Sequence, residues 1–263
     1  MVKLIASDMD GTLMDVDSTL PAETPEIIEE LREKDIRFAI ATGRRYDTAS
    51  RLFGDMADSL DFVTSNGAQV VSAGELVDRE VFSRAALHRL RDAVAEFDVL
   101  HLALFDRTRS FLVDDTVHYL EELDKDLPEP RVVGWPSPDA GIIKASVFCM
   151  EPDAVMDMAY VLGREVGDKF IFAPSGIHWI DVLQVGVSKA TGVAELLAIH
   201  DIDPADVLAF GDSMNDYDLM RFVGTSCAVD NARPAIKQIA TKVIGSNAQH
   251  AVQEEMRRIA EEA

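Results

Sequence analysis

The stretch Val2-Lys3-Leu4-Ile5-Ala6-Ser7-Asp8-Met9-Asp10-Gly11-Thr12-Leu13 decides the fold. Its first six residues form an apolar run too short for a helix, which reads as a buried strand. The run stops at two aspartates and a glycine, residues that favour turns and polar strand ends. Working outward, Thr24-Pro25-Glu26 offers an N-cap and an early helical proline, which predicts a helix to about Lys34. Residues 36–41 read as a second strand ending at Thr42-Gly43-Arg44, followed by a helix through Leu52. Residues 61–65 read as a third strand ending at Asn66-Gly67. Short apolar strands spaced by helices predict βαβ units and a parallel sheet.

The rhythm changes after Phe82. Ser83 caps an expected amphipathic helix over 84–97, and strands at 101–105 and 111–113 flank a turn at 106–110. Pro128, Pro130, Pro136 and Pro138 mark an irregular stretch. A strand at 142–148, a helix from Pro152 to Val166 and strands at 169–173 and 177–183 follow, the last two split by Pro174-Ser175-Gly176. Alternation resumes after Gly186: a helix from Ser188, strands at 207–210, 226–229 and 242–244, and a closing helix at 248–262. The expected architecture is α/β. A parallel-sheet core built from residues 1–82 and 184–263 is interrupted by an inserted α+β domain at 83–183.

The chain has 263 residues, 48% of them hydrophobic, enough for a sizeable core. Its 47 Asp and Glu against 25 Lys and Arg give a net charge of -22. That balance argues against nucleic acid and anionic membranes as partners and suits a cation binder. No apolar run approaches the ~18–20 residues of a membrane span, and no signal peptide is read at the start. Cys149 and Cys227 are far apart in apolar runs, so both are expected buried and unpaired, in a reducing cytoplasm. Neither a zinc-type histidine pattern, a G-x-G-x-x-G nor a P-loop occurs.

In an open parallel sheet, ligands bind beyond the carboxyl ends of the strands. Asp8 and Asp10, Thr42-Gly43-Arg44, Ser65-Asn66-Gly67, Asp212 to Asp216, and Asp230-Asn231 all fall there. After a single strand, Asp and Gly are ordinary turn residues; converging from several strands, they form a cluster. Asp8, Asp10, Asp212 and Asp216 gathered at one edge repel unless cations or protons compensate them. Oxygen-only ligands favour a hard cation such as Mg²⁺, and an aspartate can act as a nucleophile that forms an aspartyl-phosphate.

Asp8-Met9-Asp10-Gly11-Thr12 matches the DxDGT signature of the haloacid dehalogenase superfamily. Gly211-Asp212-Ser213-Met214-Asn215-Asp216 resembles the GDxxND motif of its Cof-type branch. Ala41-Thr42-Gly43-Arg44, Ser65-Asn66-Gly67-Ala68 and Gly186-Val187-Ser188-Lys189 resemble further motifs of that branch, in family order. The resemblance implies a Rossmann-like core, an inserted α/β cap and phosphomonoester hydrolysis. It implies that Asp8 attacks phosphorus and that Asp10 protonates the leaving oxygen and then activates water. Asp8, Asp212 and the Asp10 carbonyl would hold Mg²⁺. Thr42, Gly43 and Lys189 would bind the phosphoryl group, with Asn231 near the phosphate or substrate. Asn215 and Asp216 would steady the metal and the lysine from behind. Two departures stand out: Ala190 follows the lysine where the family often has Gly, with Gly192 coming later, and Asp230 stands at a usual Gly. Asp230 either disfavours strongly anionic substrates or points to solvent.

His178, Trp179, Arg107, Arg109 and Lys144 are the inserted domain's candidates for leaving-group contacts. For Trp179 a place in the core is the simpler reading, and for the two arginines a solvated turn. The expected partner is a small phosphorylated metabolite, such as a sugar phosphate, flavin mononucleotide or pyridoxal phosphate. Rival readings are a sucrose-phosphatase-like enzyme or a phosphomutase on the same core, or a non-catalytic phosphometabolite-binding regulator. Oligomeric state is not legible.

Overall fold

In a computed structural model of the protein, the described residues are 1–113, 127, 130–175 and 177–263. Pro128 and Gly176, read above as loop markers, lie outside them. The chain forms two compact units: Met1–Arg79 with Ser188–Ala263, and Glu80–Val187.

The first unit is built on an eight-stranded sheet. Strands β1 (Leu4–Ser7), β2 (Arg37–Ala41), β3 (Asp61–Thr64), β4 (Gln69–Ser72) and β5 (Glu75–Arg79) come from the first segment. Strands β12 (Val207–Gly211), β13 (Thr225–Ala228) and β14 (Lys242–Val243) come from the second. The order is β14-β13-β12-β1-β2-β3-β4-β5, parallel from β14 to β3 and antiparallel beyond. Strands β1 and β3 are buried at every position, as a sheet covered on both faces requires. Helices α1 (Thr24–Glu33) and α2 (Tyr46–Ser50) carry the chain from β1 through β2 to β3. Right-handed crossovers set them on one face. Helices α6 (Tyr217–Phe222) and α7 (Pro234–Ile239) carry it the other way across the sheet, on the opposite face. Helix α5 (Lys189–His200) packs against α6, and α8 (Ala251–Glu262) against α1.

Strand pairing sets the site. Ser7 lies beside Phe210 on one side and Ile40 on the other. The next residues on these strands therefore leave the same edge together: Asp8, Gly211-Asp212 and Ala41-Thr42. The β4–β5 hairpin was not expected from the sequence. Its two-residue turn is Ala73-Gly74, with φ of +48° and +77°. Type I′ hairpin turns need positive φ at both central positions, and alanine does not advertise one.

The second unit holds a six-stranded sheet of β6 (Leu100–Phe105), β7 (Ser110–Leu112), β8 (Arg131–Val133), β9 (Lys144–Cys149), β10 (Phe170–Ser175) and β11 (Trp179–Gln184). Its order is β10-β11-β9-β6-β7-β8, antiparallel except for β7 with β8. Helices α3 (Arg84–Val94) and α4 (Val155–Val166) bury Leu90 and Leu162 against Leu102, Leu104, Val147 and Ile180. Ser83 caps α3 as expected, accepting from the Ala86 amide at 3.2 Å. Both cysteines are buried and free.

One glycine of the first unit is closely packed and one of the second is not. Gly67 has φ +101°, and a Cβ there would lie 1.9 Å from the Ser188 carbonyl oxygen. Gly163, inside α4, has nothing within 4 Å of an added Cβ. Gly67→Ala is expected to cost on the order of 2–4 kcal/mol, whereas Gly163→Ala should add a few tenths to ~1 kcal/mol from helix propensity. Urea unfolding of both variants checks this; equal stabilities would refute the packing argument.

Candidate active site

Lys189 is the first residue of α5, directly after the N-cap. Ser188 closes a reciprocal box with Thr191: its hydroxyl accepts from the Thr191 amide at 3.3 Å, and its amide donates to Thr191 Oγ1 at 2.9 Å. The side chain of Lys189 is fully buried. Its Nζ donates to Asp8 Oδ1 and to Asp216 Oδ1, both at 2.6 Å. Burial opposes the ammonium charge, but Asp216 and Asp8 outweigh it and hold the Lys189 pKa above its ordinary value.

Asp216 is fixed from its other oxygen as well. Its Oδ2 accepts from the amides of Asp212 and Ser213, each at 3.0 Å. Asp212 accepts from Thr12 Oγ1 at 3.2 Å. Asp8, Asp212 and Asp216 each bring one carboxylate oxygen within 4.8 Å of the others, a group that could hold a metal ion. Three carboxylates against one ammonium leave a formal charge of -2. Burial, reinforced by Asp216, pushes the Asp212 carboxyl up to about 6. Burial also raises Asp8 well above the usual carboxylate range; Lys189 opposes this and Asp216 and Asp212 add to it. One ammonium shared between two buried carboxylates cannot offset both.

Gly11 has φ +76°, and a Cβ there would approach Asp212 Oδ2 to 2.9 Å. The position therefore needs both the left-handed backbone and the missing side chain. Asp10 does not join the other carboxylates. Its side chain is 50% exposed and held by Arg44, whose Nε donates to Oδ2 at 2.8 Å and whose Nη2 donates to Oδ1. The sequence reading gathered all four aspartates; the structure gathers three and pairs the fourth with an arginine that reading left without a role. Arg44 is quoted in the Thr42-Gly43-Arg44 strand end, and only the spacing of neighbouring strands could have signalled its partner.

Thr42 is buried, and its Oγ1 accepts from the Arg44 amide at 3.1 Å. A Cβ on Gly43 would sit 3.2 Å from Asn66 Oδ1, an oxygen that also accepts from Asn215 Nδ2 at 2.9 Å. Asn231 donates to the Gly11 carbonyl at 2.7 Å and accepts from the Asn247 amide at 3.0 Å. Gly192 meets Val63 Cγ1 at 2.5 Å from a hypothetical Cβ, so the close approach of α5 to β3 rests on this glycine rather than on position 190. Asp230 is 68% exposed and pairs with Lys237 at 2.7 Å, which favours the solvent-facing alternative.

The second unit's candidates are engaged within that unit. Arg109 pairs with Asp106 at 2.6 Å, and Lys144 lies 3.3 Å from Asp181. His178 Nδ1 donates to the Cys149 carbonyl at 2.9 Å, and its ring stacks on Phe148. Trp179 meets Phe148 edge-on, and Arg107 is exposed. No helix among the described residues is long and apolar enough to cross a membrane.

Residues 5–256 match the family model of haloacid dehalogenase-like hydrolases. The chain belongs to this family of enzymes. It is 27% identical over 258 residues to 5-amino-6-(5-phospho-D-ribitylamino)uracil phosphatase YbjI of Escherichia coli, covering 94% of this chain and 92% of that one. It is 28% identical to HMP-PP phosphatase of Klebsiella pneumoniae, covering 90% and 87%. Solved structures share the fold. SMU.1108c of Streptococcus mutans superposes with a TM-score of 0.86 at 22% identity, covering 98% of this chain and 99% of that one. A haloacid dehalogenase-like hydrolase of B. subtilis gives 0.83 at 19% identity, covering 98% and 100%.

The raised Asp212 carboxyl has a consequence for stability. Because its folded pKa of about 6 lies above the unfolded value, its contribution is full below about pH 4 and is lost as pH rises through 6. In chelator, Asp212→Asn should therefore stabilise the protein at pH 8 by on the order of 2–3 kcal/mol and change little at pH 4. Thermal unfolding across that range checks it; a pH-independent effect would refute the buried-charge account.

Proposed function

We propose that this enzyme is a Mg²⁺-dependent phosphatase of small phosphorylated metabolites that works through an aspartyl-phosphate. The observation that carries the reading is the buried Lys189 ammonium joining Asp8 to Asp216 beside Asp212. A pure binder has no need of a buried carboxylate at the tip of a strand, held by a buried ammonium. The relatives' names, both phosphatases, support the same reaction class.

The residues present fit a hard divalent cation. Their donors are all oxygens, and the formal -2 of the cluster is the charge such an ion offsets. Asp8, Asp212 and the Asp10 carbonyl would hold it. It would neutralise phosphate charge so that an anionic carboxylate can approach an anionic ester.

The chain's own groups do the rest. Asp8 attacks phosphorus and forms an acyl phosphate as the ester P–O bond breaks. Asp10 gives its proton to the leaving oxygen, then takes one from the water that cleaves the acyl phosphate, which restores Asp8. Thr42 accepts from the Arg44 amide and keeps its O–H proton to donate to a phosphoryl oxygen. Gly43 lets the phosphoryl group approach the backbone beside it. Lys189 stays charged and carries negative charge on Asp8 and the phosphoryl oxygens through the transition state. Asp216 orients Lys189, and Asn215 ties that loop to Asn66. Asn231 shapes the loop at Gly11 rather than presenting an unengaged amide.

The relatives' names point to small phosphorylated compounds; sugar phosphates, flavin mononucleotide and pyridoxal phosphate are the substrates we put forward as candidates. We place the reaction in the cytoplasm. Asp8→Asn should abolish turnover while the circular-dichroism spectrum is kept; substantial hydrolysis by that variant would remove Asp8 as nucleophile. EDTA should stop phosphate release and Mg²⁺ restore it, and a metal-free enzyme at full rate would refute the cation's role. Free phosphate as the product supports the hydrolase, and an isomerised ester would instead establish a mutase.

A further inference from the structure

The position of Asp10 supports an inference that rests on the reading above and goes beyond it. Its carboxylate stands apart from Asp8, Asp212 and Asp216, gripped on both oxygens by the Arg44 guanidinium. A planar fork on a carboxylate fixes orientation as well as place, which a point charge does not.

Arg44 is anchored through its own backbone, and Asp10 through the residues that follow it. The Arg44 amide donates to Thr42 Oγ1 at 3.1 Å, and its carbonyl accepts from the Ser65 amide at 2.8 Å. Next to Asp10, the Gly11 carbonyl accepts from Asn231 at 2.7 Å, and Thr12 donates to Asp212 at 3.2 Å. Strands β1 and β2 are neighbours with Ser7 beside Ile40, so the sheet itself sets the span between the two side chains. An ion pair with its acid half exposed contributes little to folding. What this pair does is hold one carboxyl group in one direction.

We propose that Arg44 is a positioning residue. It keeps the Asp10 carboxyl at the rim of the site and out of the buried cluster, where a fourth carboxylate would compete for the cation; in the acid step one oxygen stays on the guanidinium while the other leaves it and carries the proton to the departing ester oxygen. Arg44 acts through Asp10 and makes no demand on the phosphoryl group.

The test compares leaving groups. Wild type, Arg44→Ala, Arg44→Lys, Asp10→Asn and the Arg44→Ala/Asp10→Asn double variant are assayed on 4-nitrophenyl phosphate and on an alkyl phosphomonoester that the enzyme hydrolyses. The nitrophenolate leaves without needing a proton, whereas an alkoxide needs one. General acid catalysis is worth about 10²–10⁴-fold, so Asp10→Asn should lose far more kcat on the alkyl ester. Arg44→Ala should show the same signature, with at least ~10-fold more kcat lost on the alkyl than on the aryl ester and KM within ~3-fold on both. Arg44→Lys should fall between, and Arg44→Ala should add nothing once Asp10 is Asn. Equal losses on the two esters, a loss confined to KM, or additive losses in the double variant would overturn the proposal and make Arg44 a phosphate ligand or a structural residue. Asp10→Asn without leaving-group sensitivity would instead overturn the role of Asp10 on which the proposal stands.

Discussion

A single ammonium, wholly removed from water, bonds two carboxylates that begin more than 200 residues apart: Asp8 and Asp216, each 2.6 Å from Lys189 Nζ. A buried charge of either sign is tolerated only when paired and hydrogen-bonded. Much of the surrounding backbone serves that pairing. Ser188 and Thr191 close the start of α5 so that its first residue can face inward. Gly67 and Gly192 let that helix approach β3 closely enough for the lysine to reach. The Asp212 and Ser213 amides hold the second carboxylate. Remove the ammonium and two buried carboxylates are left facing each other.

The pairing is incomplete, and the imbalance is what suits the site to chemistry. Fully satisfied charges would make an inert core. Here three carboxylates meet one ammonium, and the acids respond by resisting ionisation, Asp212 up to about 6. The cluster by itself therefore carries an electrostatic cost that a cation would remove, so that binding would become stabilisation. The loop beyond Asp10 needs firm anchoring against this repulsion. Helix α8 and the turn before it supply it: Gln253 donates to the Leu13 carbonyl at 2.8 Å and Asn247 to the Met14 carbonyl at 3.0 Å.

These two kinds of feature differ in how well they read from the chain. The parallel strands announce themselves because apolar runs end abruptly in Asp, Thr and Asn, and the fold rule for open sheets then says where those ends go. Asp8, Asp212 and Lys189 were legible on that basis together with the motif resemblance. What escaped was relational. The Arg44–Asp10 pair depends on β1 and β2 being neighbours and on two exits turning toward each other, neither of which leaves a mark in local composition. Gln253 and Asn247 look like ordinary polar residues of a closing helix and its approach; their work is to satisfy carbonyls more than 230 residues away. The β4–β5 hairpin escaped because alanine occupies a turn position where glycine or asparagine would have flagged it.

The first unit needs nothing from the second to assemble its charges. Strands β1 and β12 pair directly, Leu4 with Val207 through Ser7 with Phe210, so the sheet is continuous although the chain leaves it at Arg79 and returns at Ser188. Every member of the charged cluster, and Arg44 with Asp10, belongs to that continuous unit. A long excursion between two strands fixed in register costs entropy that grows only logarithmically with its length. The residues from Glu80 to Val187 can therefore vary in sequence and size without disturbing the distances that the ammonium depends on. Changes of sequence can therefore accumulate in one unit while the other keeps its charged cluster in place.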